Sequence, residues 1–271
     1  MSDEREYVLG TGDDELERLG FQHGVWSGYA TRAWEAAGFG PGQRLLDVGC
    51  GPGHATFDLA RLVGRDGHVH GIDLSERFVA HLRAQAEARG VGNVTAEVGD
   101  LAAGGLPDAT YDGAYARWVL CFVPDAEAVV RAVARTLRPG AAFVVQDYSQ
   151  YSAVQLAPEP PVFIRVREAV VAAWRGSGGN PSVGAALPAL MERCGLRVRH
   201  IRPISRIARP GTALWKWPKS FFDNFLPGLV AAGTLDAATL AEFNAAWAEL
   251  EGVPGALFVT PPMVEIVAVR E

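Results

Sequence analysis

The residues best suited to chemistry begin with a glycine loop in LLDVGCGPGH, at 45–54. Its three glycines stand at alternate positions after an apolar run, and glycine lets a backbone approach a ligand without a Cβ clash. The dinucleotide pattern needs glycines at its first, third and sixth positions, but the sixth residue is His54 counted from Gly49 and Thr56 counted from Gly51. A Walker-type phosphate loop needs a lysine that is missing here. The loop therefore favours a small cofactor that is neither a dinucleotide nor a ligand held by its phosphate.

Charged residues end the strands that follow this loop. Asp73 ends GHVHGID, twenty residues after Gly53, and its carboxylate can accept both hydroxyls of a ribose while repelling a 2′-phosphate. Asp100, Arg117 and Asp147 end three further strands. Because ligands of open parallel sheets bind beyond the carboxyl ends of the strands, these side chains form the candidate site. The alternatives are loop capping for the first two aspartates and a surface ion pair for the arginine.

The elements that must position these residues alternate along the chain. A helix over 13–37, capped by Asp13 or Asp14, comes first, and strands alternating with helices then predict an α/β fold whose sheet is covered on both faces. A 57-residue segment interrupts this pattern before the last strand, and its aromatic helical stripes predict a lid over an apolar pocket. The predicted division is an N-terminal helical lid (1–37), a cofactor-binding core (38–150), an insertion (151–182), the core continued (183–205), a helical substrate cap (206–262) and a last strand (263–271).

Composition excludes several classes of partner. A formal net charge of −6 and the lack of a Lys/Arg block argue against nucleic acid. No apolar run approaches the roughly 18 residues of a membrane span, and the acidic start MSDEREYVLG does not look like a secretory signal. The three cysteines lie far apart and form no metal-type pair. We therefore expect a cytoplasmic protein with no membrane partner and no metal.

Five stretches together carry a family resemblance, namely LLDVGCGPG, GIDLS, EVGDL, YDGAYARWVLCFVPD and RTLRPGAAFVVQD. They resemble the class I S-adenosylmethionine (SAM)-dependent methyltransferases of the small-molecule type. The similarity covers about 40–150, with a closing hairpin at 196–204 and 263–270. It implies a doubly wound, Rossmann-like sheet of seven mostly parallel strands whose last strand is antiparallel, with SAM as cofactor and S-adenosylhomocysteine (SAH) as product.

The resemblance also implies roles for individual residues. Asp47 and the loop at 49–53 would hold the amino-acid end of SAM, Asp73 the ribose, Asp100 the adenine, and Arg117 would lie beside the methionine portion. The start of the chain resembles a helix that closes over the cofactor in small-molecule members. His54 departs from the family pattern, where a small or hydroxyl residue is usual. The expected cofactor-binding residues are Asp47, Gly49, Cys50, Gly51, Gly53, Asp73, Leu74, Asp100, Leu101, Arg117, Gln22 and Tyr7.

The expected reaction is in-line transfer of a methyl group to a small, mainly apolar or aromatic metabolite. Asp147, at the end of its strand, is the first candidate for a general base or an acceptor anchor, although a nearby sulfonium would lower its pKa and weaken it as a base. His23 is a second catalytic candidate, with a packed structural histidine as its alternative. The expected substrate-binding residues are Tyr29, Tyr148, Trp215 and Phe222.

Two other functions compete with methyl transfer. A nicotinamide-dependent dehydrogenase is disfavoured by the missing sixth-position glycine. A protein of this fold that binds SAM without transferring its methyl group stays open, because binding and transfer depend on different residues. The acceptor atom and the choice between a monomer and a homodimer are also left open by the sequence.

Overall fold

The computed structural model describes residues 10–271, and its central layer is a seven-stranded sheet. The strands of this sheet and of a second, smaller one are, in chain order, β1 (Arg44–Val48), β2 (His68–Asp73), β3 (Val94–Val98), β4 (Tyr111–Arg117), β5 (Leu137–Tyr148), β6 (Gln155–Ala157), β7 (Leu196–Ile204), β8 (Ile207–Ala208), β9 (Leu257–Val259) and β10 (Met263–Arg270). The helices are α1 (Asp13–Ala36), α2 (His54–Val63), α3 (Glu76–Ala88), α4 (Ala126–Thr136), α5 (Pro161–Gly176), α6 (Leu187–Arg193), α7 (Ala213–Ala231) and α8 (Ala237–Leu250).

The sheet has the strand order β3-β2-β1-β4-β5-β10-β7. Its strands are parallel except for β10, which runs antiparallel to both β5 and β7. The fold class expected from the sequence is therefore confirmed. The order reverses between β1 and β4, and in doubly wound sheets the ligand crevice opens at such a reversal. The glycine loop leaves β1 at this point.

Local sequence explains how the flanking helices begin and pack. Helix α2 begins directly after the glycine loop, with Gly53 as its N-cap, and Ser75 caps α3 by accepting the Phe78 N–H at 3.2 Å. At α1 the expectation is corrected, because Gly12 is the N-cap and has no side chain to offer. Asp13 and Asp14 instead lie in the first turn, where carboxylates favour the positive end of the helix dipole.

The two segments outside the parallel core meet in a second, three-stranded sheet of order β6-β9-β8. Helices α5, α7 and α8 pack beside it around buried rings, with Trp215 and Trp247 at 4.9 Å and Phe222 and Phe243 at 5.1 Å between ring centroids. Helix α1 contacts α7 where Trp26 meets Trp217 edge-on. Within 10–271, no helix combines the length and the apolarity that crossing a bilayer would require.

Candidate functional site

The glycine loop joins β1 to α2 and borders a cavity of about 910 Å³. Gly51 has φ +53° and open space where a Cβ would stand, so its backbone is bare toward the cavity. Gly53, with φ +92°, is different: a Cβ there would overlap the Leu82 side chain of α3, and the residue does not line the cavity. The expectation that Gly53 contacts the cofactor is therefore corrected, because it serves the packing of α2 on α3.

Asp73 closes the loop from the neighbouring strand. Its two carboxylate oxygens accept the backbone N–H groups of Gly51 at 2.8 Å and Ser75 at 2.9 Å. Burial raises the pKa of Asp73 against these hydrogen bonds, which favour the charged form. A carboxylate has about four acceptor positions, so Asp73 keeps acceptor capacity for a hydroxyl group of a ligand in the cavity that this side chain lines.

Asp47 lies behind the loop and is almost fully buried. Its Oδ2 accepts the Thr56 hydroxyl at 2.6 Å, and burial raises its pKa to about 7. Asp47 lines the same cavity as Cys50 and Gly49. A nearby cation lowers the pKa of a buried carboxyl group and favours its charged form. The position of Asp47 therefore suits a positively charged ammonium group.

Arg117, at the end of β4, connects the sheet to α1. Its Nη2 donates to His23 Nδ1 at 2.9 Å, and the opposite ring nitrogen of that histidine donates to Asp58 Oδ2 at 2.8 Å. Burial, and then the Arg117 charge, lower the pKa of His23 to about 4, so the ring is neutral at pH 7. Arg117 Nη1 is buried without a hydrogen-bond partner among the described residues, beside the cavity that Arg117 lines.

The side of the cavity formed after β3 is less polar. Asp100 accepts the Ala102 N–H at 2.9 Å and so caps a short 3₁₀ turn, while the next side chain, Leu101, is buried. Leu74 follows Asp73 and is 45 % exposed on the cavity rim. An apolar slot with a carboxylate at its edge can hold a flat heterocycle and accept from its amino group.

The other end of the cavity has an aromatic wall. Trp118 stacks on Tyr148 with centroids 6.0 Å apart, and Phe122 stacks on Trp174 at 4.6 Å. Trp118 has φ +53°, a conformation that side-chain-bearing residues rarely adopt and that concentrates at ligand sites. Phe221 of α7 completes this wall. Of these five rings the sequence predicted only Tyr148, and the positive φ of Trp118 left no sequence signal.

Gln22 forms a polar contact between α1 and α7. Its Oε1 accepts hydrogen bonds from Arg18 Nη1 at 3.0 Å and from Trp217 Nε1 at 2.9 Å, and the second bond connects α1 to α7. Arg18 also forms a buried pair with Glu15, with Nε 2.6 Å from the carboxylate. Gln22, Arg18 and His23 all line the cavity.

Four predicted site residues lie away from the cavity lining. The Asp147 carboxylate is fully buried and accepts the N–H groups of Cys121 at 3.1 Å and Tyr148 at 2.8 Å, so it orders the chain behind the wall. Burial raises the pKa of Asp147 to about 6. The other three have packing roles: Tyr29 lies under two guanidinium groups, and Trp215 and Phe222 pack among the buried rings of α7 and α8. These expectations are corrected, and Tyr7 lies outside the described residues.

The site as a whole has the features of a SAM-type crevice at a sheet switch point. The orphaned Arg117 Nη1 fits a carboxylate, Asp73 fits paired hydroxyls, and the bare backbone at Gly51 leaves room between them. No group of three or more metal-ligating side chains occurs in the part of the chain that the structure describes.

Comparison with known proteins agrees with this class of site. Residues 40–170 match the model of a methyltransferase domain family, and this match supports a class I SAM-dependent methyltransferase. Nocamycin O-methyltransferase of Saccharothrix syringae is 42 % identical over 99 residues, which are 36 % of this chain and 35 % of that protein. The 2-phytyl-1,4-naphtoquinone methyltransferase of Synechococcus elongatus is 36 % identical over 138 residues, 50 % of this chain and 58 % of that protein.

The matched regions are parts of the relatives, since the chain spans about a third to three fifths of the length of these two. Among solved structures, the [4+2]-cyclase SpnF superposes with a TM-score of 0.58 at 18 % identity, over 89 % of this chain and 79 % of that one. At such low identity the likeness concerns the fold alone.

Proposed function

We propose that the protein transfers the methyl group of SAM to a small, mainly apolar or aromatic acceptor and releases SAH. One observation carries this proposal: a single cavity of about 910 Å³ runs from the glycine loop and Asp73 to the rings of Trp118 and Phe221. A cofactor end and an apolar end in one volume suit a reaction between two bound molecules. The relatives named as O- and naphthoquinone methyltransferases support the small-molecule class.

Within this proposal, the polar end holds the cofactor. Asp73 accepts the ribose hydroxyls, Arg117 Nη1 donates to the carboxylate of the methionine portion, and Asp47 faces its ammonium group. Asp100 and Leu101 border the adenine. When bound, the cofactor supplies a methyl group that its sulfonium already activates. The remaining task of the chain is to align the acceptor with that methyl group, which can contribute several kcal/mol, and to exclude water.

The rival functions make different demands on the site. A nicotinamide dehydrogenase is disfavoured by the family match and by the glycine pattern. A function without methyl transfer, as the cyclase fold relative illustrates, would use the same fold. The aromatic end beside the cofactor end favours methyl transfer over this alternative.

We further propose a cytoplasmic location, where the buried, free thiols of Cys50 and Cys121 stay reduced, and action as a monomer or a homodimer.

Calorimetric titration with SAM, SAH and NADH tests the cofactor assignment. We expect SAM and SAH to bind and NADH not to bind. Asp73→Ala should weaken SAH binding roughly a hundredfold, because hydrogen bonds to a charged group are lost. Asp66→Ala is the matched control, since Asp66 is exposed and pairs only with Arg65 among the described residues. A melting curve checks that the first variant folds, because Asp73 also orders Gly51.

The outcomes separate the proposals. If neither SAM nor SAH bound the wild-type protein, the methyltransferase assignment would be wrong. In a second outcome, both ligands bind, but a screen of aromatic acceptors with labelled SAM gives no methylated product and converts an acceptor by a different reaction. That outcome would support a protein that binds SAM without transferring its methyl group.

A further inference from the structure

Gln22 presents a fixed hydrogen-bond donor to the cavity. Its Oε1 accepts from Arg18 Nη1 and Trp217 Nε1, and both of these groups can only donate. The amide orientation is therefore set: the oxygen faces the two donors and Nε2 faces away. Nε2 has no partner among the described residues, and Gln22 lines the cavity. A pinned amide loses little entropy when it binds a ligand oxygen.

This donor lies at the edge of the aromatic wall. Trp217, which holds the Gln22 oxygen, stacks on Trp118 with centroids 6.0 Å apart and an interplanar angle of 19°. Trp118 in turn stacks on Tyr148. A planar acceptor that rests against this wall would therefore have one edge near the Gln22 amide. The arrangement recognises an aromatic ring and an oxygen in the same molecule.

The described lining places no free base on the aromatic wall to remove a proton from such an acceptor. Both ring nitrogens of His23 are engaged, with Arg117 and with Asp58. Both Asp147 oxygens accept backbone N–H groups behind the wall. Burial raises the pKa of the Tyr148 phenol well above its usual range. The His54 Nε2 is buried without a hydrogen-bond partner among the described residues, but the ring lies against Gly20 and stacks on His23 at 5.8 Å, away from the rings of the aromatic wall.

The carboxylates of the lining have other positions or partners. Asp47 and Asp73 belong to the proposed cofactor end, with Thr56 and the glycine loop as their partners. Asp100 and Asp125 are exposed and accept the N–H groups of the helical turns that they begin, at 2.9 and 2.8 Å. The first three belong to the proposed cofactor end, and Asp125 is engaged at the start of α4.

We propose that the acceptor enters already ionised, as an aromatic oxyanion whose oxygen accepts from the Gln22 amide, and that the protein supplies no base. This inference rests on the proposed function. In the step, a lone pair of the oxyanion forms the new O–CH₃ bond as the S–CH₃ bond breaks and its electron pair returns to sulfur. No proton moves, and an anion and a cation become two neutral groups. A water-poor aromatic pocket favours such charge neutralisation.

Equilibrium binding to the SAH-loaded protein tests the donor. The probes are 2-naphthoate and 2-naphthamide, which share a ring system and differ in charge, and tryptophan fluorescence reports their binding. We expect the wild-type protein to prefer 2-naphthoate at least about tenfold, in line with a hydrogen bond to a charged group. Gln22→Glu keeps the oxygen that Arg18 and Trp217 hold but replaces the donor with an acceptor, so the preference should disappear or reverse.

Controls keep this test independent of folding and of the proposed function. Gln43→Glu makes the same change at a glutamine outside the cavity, which bonds Gly38 O, and should bind both probes like the wild type. If Gln22→Glu fails to fold, Gln22→Met should lose the preference for 2-naphthoate. An unchanged preference in the Gln22 variants, or no binding of 2-naphthoate to the loaded wild type, would overturn the inference. Failure of SAH to bind would instead overturn the proposed function.

A kinetic series tests the lack of a base. With substituted naphthols of graded acidity, the inflection of kcat/KM against pH should follow the pKa of each acceptor. A single inflection common to all acceptors, abolished by Tyr7→Phe or by a variant of a lining carboxylate, would show that the chain carries a base and that the acceptor is not pre-ionised.

Discussion

Replacing Arg117 with methionine should separate cofactor binding from stability. In the free protein, Arg117 gains one charge-assisted hydrogen bond, to His23 at 2.9 Å, while its buried Nη1 has no partner among the described residues. The first contributes about 1.5–3 kcal/mol, and the unsatisfied donor costs about 1–3 kcal/mol. Methionine keeps much of the apolar stem. We therefore expect the free energy of unfolding of Arg117→Met without ligand to stay within about 1 kcal/mol of the wild-type value.

The same change should weaken SAH binding strongly. If Nη1 donates to the ligand carboxylate, its loss removes about 1.5–3 kcal/mol, which corresponds to a roughly 10- to 150-fold higher Kd. At saturating SAH, each tenfold rise in Kd lowers the ligand-induced stabilisation by about 1.4 kcal/mol. Calorimetry gives the Kd, and denaturant unfolding with and without SAH gives the stabilisation.

A second arginine provides the control. Arg61 pairs with Asp58, the residue that holds the far side of His23, but its side chain is 73 % exposed. Arg61→Met should change the unfolding free energy by less than about 1 kcal/mol, because exposed ion pairs contribute little, and should leave the SAH affinity unchanged. An unchanged Kd in Arg117→Met, or a loss of more than about 3 kcal/mol in its ligand-free stability, would refute the reasoning.

Three further predictions concern stability and turnover. His23 has a pKa of about 4 in the folded state, so the unfolded state binds its proton first as the pH falls below about 6.5. This difference should lower the free energy of unfolding by at most about 2 kcal/mol at pH 5. Urea titrations at pH 7.5 and 5 should show that His23→Gln removes this loss. Gly53→Ala should lower Tm more than Gly51→Ala, since only the first overlaps Leu82, and calorimetry should show weaker SAH binding for the second. Asp147→Asn should lower Tm, because the amide keeps only one oxygen to accept the two backbone N–H groups that the carboxylate holds. It should leave kcat per folded molecule within a few-fold of the wild-type value. A thousandfold drop in kcat would instead identify Asp147 as a base.

Features with a local cause could be predicted from the sequence. The glycine loop and the acids near strand ends each follow from residues close together in the chain. The prediction was wrong for residues whose role depends on the direction in which the side chain points. Asp147 is the second-last residue of β5, but its carboxylate bonds the buried chain at Cys121 and does not line the cavity. Strand position alone does not contain that information.

The aromatic wall shows the same limit on a helix. Phe221 and Phe222 are adjacent on α7, so about 100° of helix rotation separates their side chains. Phe221 lines the cavity and Phe222 packs among the buried rings of α7 and α8. Periodicity predicted the apolar stripe but not which ring faces which partner, since the choice depends on how α7 docks. The strands β6, β8 and β9 have two or three residues each, too few to show alternation.

The cavity depends on α1 as much as on the sheet. On one turn of this helix, His23 binds Arg117 of β4 and Gln22 binds Trp217 of α7. The first contact fixes the cation of the proposed cofactor end, and the second fixes the amide at the proposed acceptor end. Because neighbouring residues hold both ends, a displacement of α1 would disturb cofactor and acceptor together. Binding of SAH should therefore hold α1, and with it the fixed Gln22 amide, in position and so tighten the binding of an aromatic oxyanion; by linkage the oxyanion should tighten SAH equally.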